Sequence, residues 1–169
     1  AFLTEDRKKE GLILNASVKN NLHLATIDKD VKGLFLDEQK HQSLAEENIR
    51  VYKIKTPSVD TPVGTLSGGN QQKVVIAKWV NACADIYIFD EPTRGIDVGA
   101  KIEVYNVMNE LVKSGKCVIM ISSELPEILG MSDRVIVMRH GKVMAEIDRD
   151  SEHFNQEDIM KASWGGRLA

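Results

Sequence analysis

A serine followed by two glycines at the start of a helix is the most informative group of residues in this sequence. Ser67, Gly68 and Gly69 precede a stretch of helical apolar periodicity that runs to about Asn81. Glycine lets the backbone approach an anion closely, the unpaired N–H groups of a first helical turn attract negative charge, and the serine adds a hydroxyl donor. The pattern indicates a phosphate-binding site, but an ordinary glycine-rich helix start has the same residues and remains the alternative.

Two adjacent carboxylates form the second candidate site. Asp90 and Glu91 directly follow the apolar run of residues 86–89, and the carboxyl edge of an α/β sheet is where ligands bind. Asp90 is placed to hold hydrated magnesium, and Glu91 is placed to polarise a water that attacks a phosphoryl group. Asp97 supplies a third carboxylate near the same edge. The alternative is an acidic loop that only caps the strand.

Alternating strands and helices must position these residues. The periodicity predicts a strand over 86–89 that is covered on both faces, a helix over 99–114 with Ile102 on its apolar face, and a strand over 117–121. Strand, helix and strand in this order predict a right-handed crossover in a parallel sheet. A short helix near Pro126, strands over 134–138 and 142–147 joined by a tight turn at His140, and a final helix around 159–160 follow.

The first third of the chain is more polar and predicts helices ahead of the parallel core. Ser17 can cap a short helix in which Val18, Leu22 and Leu24 share a face, and a longer acidic helix is expected over 36–52. The opening apolar residues resemble the end of a strand already under way, which suggests that the chain begins inside a domain. The predicted fold class is α/β: a mostly parallel sheet with an inserted helical subdomain, and a sheet that is incomplete as given.

Composition limits the possible functions. The 169 residues carry 22 basic and 25 acidic side chains, a net charge of -3 that gives no basic excess for binding nucleic acid. No apolar run approaches the roughly 20 residues that a membrane span requires, so any membrane role is expected to be peripheral. Cys83 and Cys117 stand in apolar surroundings and are expected to be buried, reduced and inert. The four histidines have no metal-ligand spacing.

The order of the two motifs resembles that of ABC ATPases, in which the signature motif precedes the Walker B strand by one helix. The Gly-Gly-Asn-Gln-Gln-Lys segment (68–73) and the Asp-Glu-Pro-Thr-Arg-Gly-Ile-Asp run (90–97) are similar to the second ATPase half of tandem sugar importers, of the ribose, galactose and xylose type. The resemblance covers essentially the whole chain. It implies a single partial P-loop NTPase domain, 1–169, with a helical signature subdomain over about 10–82 and a Walker B core with C-terminal strands over about 83–169.

Three departures from the family pattern concern the nucleotide site. The Walker A motif G-x-x-x-x-G-K-[ST] is absent from the sequence, and family order would place it before residue 1. Ser123 stands where the family has a histidine that contacts the γ-phosphate. Glu5 stands near the position of a glutamine that touches magnesium and the attacking water, and a carboxylate cannot donate as an amide does. Both substitutions are expected to weaken the chain's own site.

The resemblance implies ATP and Mg²⁺ as ligands. It assigns Glu91 as the catalytic residue and Asp90 as the magnesium ligand, through water, and it assigns nucleotide contacts to Ser67, Gly68, Gly69, Asn70, Asp97, Ser123 and Glu5. ABC ATPases work as head-to-tail pairs, so the signature loop is expected to complete a nucleotide site in trans.

The implied partners are a second ATPase half, a transmembrane sugar permease near residues 5–62 and, indirectly, a sugar-binding protein, with no nucleic acid. The implied location is the cytoplasmic face of the cell membrane. The implied function is to energise monosaccharide import, and whether this chain alone is an enzyme stays open. The alternatives are a non-catalytic module that pairs with another ATPase half without binding nucleotide itself, and a soluble ABC ATPase of DNA repair or translation.

Overall fold

The computed structural model describes residues 1–32 and 35–166, which form two compact units, Ala1–Ile121 and Ser122–Ala169. Each unit is described by itself. In chain order the first unit contains β1 (Phe2–Leu3), a π-helical turn (Arg7–Gly11), α1 (Val18–His23), a 3₁₀ turn (Ile27–Asp30), β2 (Val31–Lys32), β3 (Phe35–Leu36), α2 (Glu38–Val51), a second 3₁₀ turn (Val63–Thr65), α3 (Gly68–Asn81), β4 (Ile86–Asp90), α4 (Val98–Lys113) and β5 (Cys117–Ile121). The second unit contains α5 (Leu125–Met131), β6 (Arg134–Arg139), β7 (Lys142–Asp148) and α6 (Gln156–Ser163).

A parallel three-stranded sheet organises the first unit. Its strand order is β1-β4-β5, and the register aligns Phe2 with Ile88 and Ile88 with Ile119. The opening residues therefore do form a strand, and β4 and β5 are direct parallel neighbours joined by α4, as the sequence predicts. A small antiparallel pair, β2 with β3, lies outside this sheet.

Only one face of this sheet is buried by the described residues. Tyr87 and Phe89 on β4 are 1% and 0% exposed, whereas Ile86, Ile119 and Ile121 on the opposite face are each about half exposed. The prediction that β4 is covered on both faces is therefore wrong for the part of the chain described here. A continuous apolar run does not distinguish a strand covered twice from one covered once, which explains the error.

The predicted helices are present, with shifts of one or two residues at their ends. For α4, however, the predicted buried face is only partly right, because Ile102 is 53% exposed whereas Val104, Met108 and Leu111 are buried. The helix begins one residue earlier than predicted, at Val98, and its buried residues recur three or four positions apart from Ala100 onward.

Two smaller expectations also fail. Cys83 and Cys117 are free thiols, as expected, but both are exposed rather than buried. Ser17 does cap α1 by accepting a hydrogen bond from the N–H of Asn20 at 3.1 Å, and Val18 and Leu22 are fully buried. Leu24 follows the last residue of the helix and is 40% exposed, so it does not share their face.

Helix α3 is the central helix of the first unit. It packs against α1, α4, β1 and the π-helical turn, and its residues 71–78 are all buried. The ammonium of Lys78 donates to the carbonyl of Gly11 at 2.6 Å, and a Cβ on Gly11 would lie 3.2 Å from Val75. These contacts attach the π-helical turn firmly to α3, which fixes where the side chain of Arg7 lies.

The second unit is a hairpin packed against two helices. Strands β6 and β7 pair antiparallel, and His140 and Gly141 between them both have positive φ, +48° and +75°. Positive φ at both central residues is the geometry of a type I′ turn, so the predicted tight turn is confirmed. The core of this unit consists of Val135, Val137, Ile147, Ile159 and Ala162. Of the helices in the described ranges of both units, none is long and apolar enough to cross a membrane.

The uneven coverage of the sheet leads to a stability prediction. Phe89→Ala should lower the free energy of unfolding by about 3–5 kcal/mol, because it leaves a cavity in the buried face. Ile119→Ala should cost less than about 1 kcal/mol, because much of that side chain is already in water. Urea denaturation followed by circular dichroism measures both. Equal losses for the two variants would contradict the one-sided packing of this sheet.

Candidate functional site

The start of α3 keeps its first N–H groups clear of side-chain caps. Ser67 has the extended backbone of an N-cap residue (ψ 157°), but its side chain makes no capping hydrogen bond. Instead its hydroxyl accepts from the side-chain amide of Asn70 at 2.9 Å, while the Asn70 carbonyl oxygen accepts from the N–H of Lys55 at 2.8 Å. Asn70 therefore orients Ser67, and the first helical turn presents uncapped donors that an anion can use.

Both glycines of this helix start are in close backbone contact. A Cβ on Gly68 would lie 2.7 Å from Nη2 of Arg7 and 3.3 Å from the carbonyl oxygen of Gly95. A Cβ on Gly69 would lie 2.9 Å from Cβ of Ala100. Side chains at these positions would force the neighbouring groups apart, so the glycines are needed for packing as well as for access to an anion.

The loop after β4 carries the two adjacent carboxylates. Asp90 is the last residue of β4, and Glu91 has a positive φ of +46° that is unusual for a residue with a side chain. The N–H of Glu91 donates to the carbonyl of Ile121 at 2.9 Å, and its carbonyl accepts from the N–H of Arg94 at 3.1 Å. These bonds hold Glu91 in a left-handed conformation, which turns the chain sharply at the end of the strand.

The carboxylates of Asp90 and Glu91 are available to a ligand. Both residues are half-buried, and no hydrogen bond or ion pair to the described part of the chain engages either carboxylate. Within residues 1–32 and 35–166 no cluster of three or more metal-ligating side chains occurs. A lone carboxylate such as Asp90 suits Mg²⁺, which keeps several waters and is commonly held by one or two carboxylates together with substrate phosphates.

Asp97 has a structural role at the start of α4. Its Oδ1 accepts from the N–H of Ala100 at 3.0 Å, which is an N-cap, and its Oδ2 would lie 3.6 Å from a Cβ on Gly69. The residue is thus at the junction of the two motifs, as its place in the sequence suggests. Its contact with nucleotide stays a prediction.

Glu5 and Arg7 bring the opening segment onto the same loop. The carboxylate of Glu5 forms an ion pair with the guanidinium of Arg94, and both side chains are about half exposed or more. The guanidinium of Arg7 donates to the carbonyls of Arg94 and Gly95 at 3.0 and 3.4 Å. Three segments, 5–7, 67–69 and 94–97, therefore meet in the first unit.

Arg7 is the residue that sequence reasoning missed. The basic run of residues 7–9 is flanked by acidic residues, and its charge alone indicates no function. The one available signal was the residue type: Arg7 is an arginine, whereas the next two residues are lysines. Only the planar guanidinium can donate to two carbonyls with a fixed geometry.

Ser123 belongs to the second unit and is exposed. The neighbouring Ser122 hydroxyl donates to Oε2 of the buried Glu127 at 2.5 Å and accepts from the N–H of Glu124 at 3.0 Å. These bonds shape the turn that precedes α5. The predicted role of Ser123 at the γ-phosphate is untested by them and stays a prediction.

A family model described as ABC transporter matches residues 4–94, a range that includes the segments 5–7 and 67–69 and the two carboxylates Asp90 and Glu91. The chain belongs to the ABC transporter family. The fold agrees: a dimeric post-hydrolysis structure of the ATP-binding cassette MJ0796 bound to ADP and Pi aligns with 89% of this chain and 62% of its own, with a TM-score of 0.73 and 20% identity. The predicted α/β fold of an ABC ATPase is therefore confirmed.

Close relatives carry the names of sugar importers. The chain is 49% identical over 166 residues to the ribose import ATP-binding protein RbsA of Bacillus cereus, covering 98% of this chain and 33% of that protein. It is 51% identical over 167 residues to the xylose import ATP-binding protein XylG of Thermoanaerobacter pseudethanolicus, covering 99% of this chain and 33% of that protein. The chain thus spans about a third of the length of the curated relatives that it matches. The predicted similarity to ribose- and xylose-type import ATPases is confirmed.

The backbone of Glu91 leads to a second prediction. Glu91→Gly and Glu91→Ala both remove the carboxylate, but only glycine adopts a φ of +46° without a steric penalty. The free energy of unfolding of the glycine variant should therefore be about 1 kcal/mol higher than that of the alanine variant. The matched pair at Asp90, the last residue of β4, should show the opposite order, because its φ is not positive and glycine loses more backbone entropy there than alanine. Urea denaturation checks both pairs. An alanine variant at 91 as stable as the glycine variant would refute the strained turn.

Proposed function

We propose that this chain is part of the ATP-binding subunit of an ABC-type monosaccharide importer, and that its main chemical contribution is the signature loop. In this proposal Ser67, Gly68 and Gly69 cap a nucleotide that is held by another ATPase half. The observation that supports it best is the start of α3, where the helix has uncapped N–H donors and a serine hydroxyl held in place by Asn70.

The carboxylates at the end of β4 form a second, composite site in this proposal. Asp90 would hold Mg²⁺, and Glu91 would orient and polarise the attacking water; the metal, when bound, would neutralise charge on the phosphates. One feature of the first unit supports a weaker site here. Glu5 is engaged by Arg94 and has no amide to donate.

The assembly follows from the same arrangement. A loop that caps nucleotide in trans needs a partner that supplies the phosphate cradle. We therefore infer a head-to-tail pair of ATPase halves on the cytoplasmic face of a membrane. The pair contacts a transmembrane sugar permease through the segment of about residues 5–62, and a sugar-binding protein acts with that permease. ATP binding closes the pair and hydrolysis reopens it.

The competing function is a non-catalytic module that pairs with another ATPase half without touching nucleotide. It would need Gly68 and Gly69 only for packing, and their close contacts with Arg7, Gly95 and Ala100 are compatible with that role. The two functions differ in whether a change at the helix start alters ATP turnover without altering assembly.

ATP turnover of an assembled sugar-import ATPase that carries this chain distinguishes them. Gly68→Asp adds a negative charge at the helix start, against Arg7 and the Gly95 carbonyl, and should lower turnover by about 100-fold, the size of effect seen when an oxyanion donor is lost. Size-exclusion chromatography of the same variant should show unchanged assembly, whereas a packing role alone predicts that turnover falls only where assembly is lost. Glu91→Gln should have the smaller effect, because its site is the weaker one. Gly130→Asp is the matched control, since a side chain there meets nothing within 4 Å, and it should leave turnover unchanged.

The opposite ranking would overturn the assignment. If Glu91→Gln abolished turnover and transport while Gly68→Asp was silent, the chain would act through its own site and not in trans. An ATP titration of the 169-residue chain alone supplies a further check. No binding at micromolar ATP is expected, because the Walker A phosphate contacts are absent from this sequence. Micromolar affinity would contradict this expectation, because the chain would then bind ATP without a Walker A loop.

A further inference from the structure

We propose that Arg7 is a positioning residue that holds the signature loop and the loop after β4 in one fixed relation. This inference rests on the proposed function, because it concerns how the signature loop is presented to the nucleotide. It starts from a contact that neither the motif pattern nor the basic run of residues 7–9 predicts. Arg7 lies on the π-helical turn and its guanidinium reaches both loops.

The guanidinium of Arg7 contacts two parts of the first unit, the loop after β4 and the start of α3. Its Nη1 and Nη2 donate to the carbonyls of Arg94 and Gly95, which fixes the backbone of the loop after β4. The same Nη2 would be only 2.7 Å from a Cβ on Gly68, so it also lies against the first residue of α3. A shift of either loop must therefore move this guanidinium or break its hydrogen bonds.

The π-helical turn that carries Arg7 is rigid. Asp6 accepts hydrogen bonds from the N–H groups of Lys8 and Lys9, both at 3.2 Å, which caps the π-helical turn. The turn ends at Gly11, whose carbonyl accepts from the buried Lys78 ammonium on α3 at 2.6 Å. Arg7 is therefore held to the same helix whose first residue it contacts. Its guanidinium spans the gap between that helix and the loop after β4, and so sets their separation.

The chemistry of the side chain favours positioning over simple stabilisation. Among the described residues the Nε of Arg7 is buried without a hydrogen-bond partner, a state that costs free energy. A lysine would make one carbonyl contact with a flexible ammonium and avoid that cost, but it could not donate to two successive carbonyls in a fixed plane. The planar fork fits this site because two carbonyls must be held together.

The loop that Arg7 holds also carries Asp97, the N-cap of α4, whose Oδ2 lies beside Gly69. A second ion pair, between Glu5 and Arg94, acts on the same loop from its exposed side. One guanidinium thus contacts both the helix start and the loop that follows the carboxylates of Asp90 and Glu91.

The test combines a local and a functional readout on matched variants. In the 169-residue chain labelled with ¹⁵N, Arg7→Gln should shift the amide signals of Gly68 and Gly95, whereas Lys8→Gln, which removes the same charge from the adjacent exposed residue, should not. Arg7→Lys should give smaller shifts at the same two glycines. If Arg7→Gln fails to fold, Arg7→Lys against Lys8→Gln makes the same comparison.

In the assembled import ATPase, Arg7→Gln should lower kcat by about 10- to 100-fold, the loss expected when reacting groups are displaced by about 1 Å. The KM for ATP should change by less than about twofold, because the phosphate cradle is on the other half. Arg7→Lys should restore part of kcat, and Lys8→Gln should behave as wild type.

Unshifted Gly68 and Gly95 signals in Arg7→Gln, or a kcat equal to that of Lys8→Gln, would overturn the inference. A failure of the proposed function looks different. In that case Gly68→Asp would leave turnover unchanged, while the amide shifts at Gly68 and Gly95 would still report whether Arg7 positions the two loops.

Discussion

The close approach of backbone at the start of α3 is the constraint on which the rest of the first unit depends. Gly68 and Gly69 leave no room for side chains against Arg7, the carbonyl of Gly95 and Ala100. Because those neighbours belong to the π-helical turn, the loop after β4 and α4, the helix start determines the relative positions of three segments that are far apart in sequence. The chemistry of both motifs follows from this one junction.

Burial of α3 makes the junction stable. Its middle residues pack on every side, and even its polar residues are used internally: Lys78 donates to the Gly11 carbonyl, and Gln71 donates to carbonyls of the preceding turn, including that of Leu66 at 3.1 Å. A buried polar side chain whose N–H donors are hydrogen-bonded holds the accepting carbonyls in a specific geometry. The signature loop is thus attached to the better-packed part of the unit, whereas one face of the sheet has no cover among the described residues.

The sequence predicted the elements well because their signals are local. Ser17 as a cap, the glycine pair before α3, and the apolar runs of β4 and β5 each depend on neighbouring residues, and each predicted element lies within a residue or two of its place. The family and fold were predicted from the order of two motifs, and the comparisons confirm them. The predictions that failed depend on tertiary contacts: the coverage of β4 on both faces and the burial of Ile102 and of both cysteines. The left-handed backbone of Glu91 was not predicted.

The residues of the candidate site likewise fall into those that the local sequence could identify and those that it could not. The sequence was enough to select Asp90, Glu91 and Ser67–Gly69. Carboxylates suit a magnesium ion and a water, and a helix start with a serine and two glycines suits a phosphate. Arg7 could not, since its role arises from two carbonyls about 87 positions away, and nothing local marks it. The predicted contact of Asn70 with nucleotide stays a prediction; in this structure its side-chain amide holds Ser67 and the backbone of Lys55.

The central claim is that the signature loop of this chain completes a nucleotide site held by another ATPase half. A structure of the assembled import ATPase with a non-hydrolysable ATP analogue tests it most directly. The account predicts that the hydroxyl of Ser67 and an N–H of the Gly68–Gly69 pair lie within about 3 Å of γ-phosphate oxygens bound to the other half. A closed assembly in which those phosphates contact neither Ser67 nor the two glycines would contradict it.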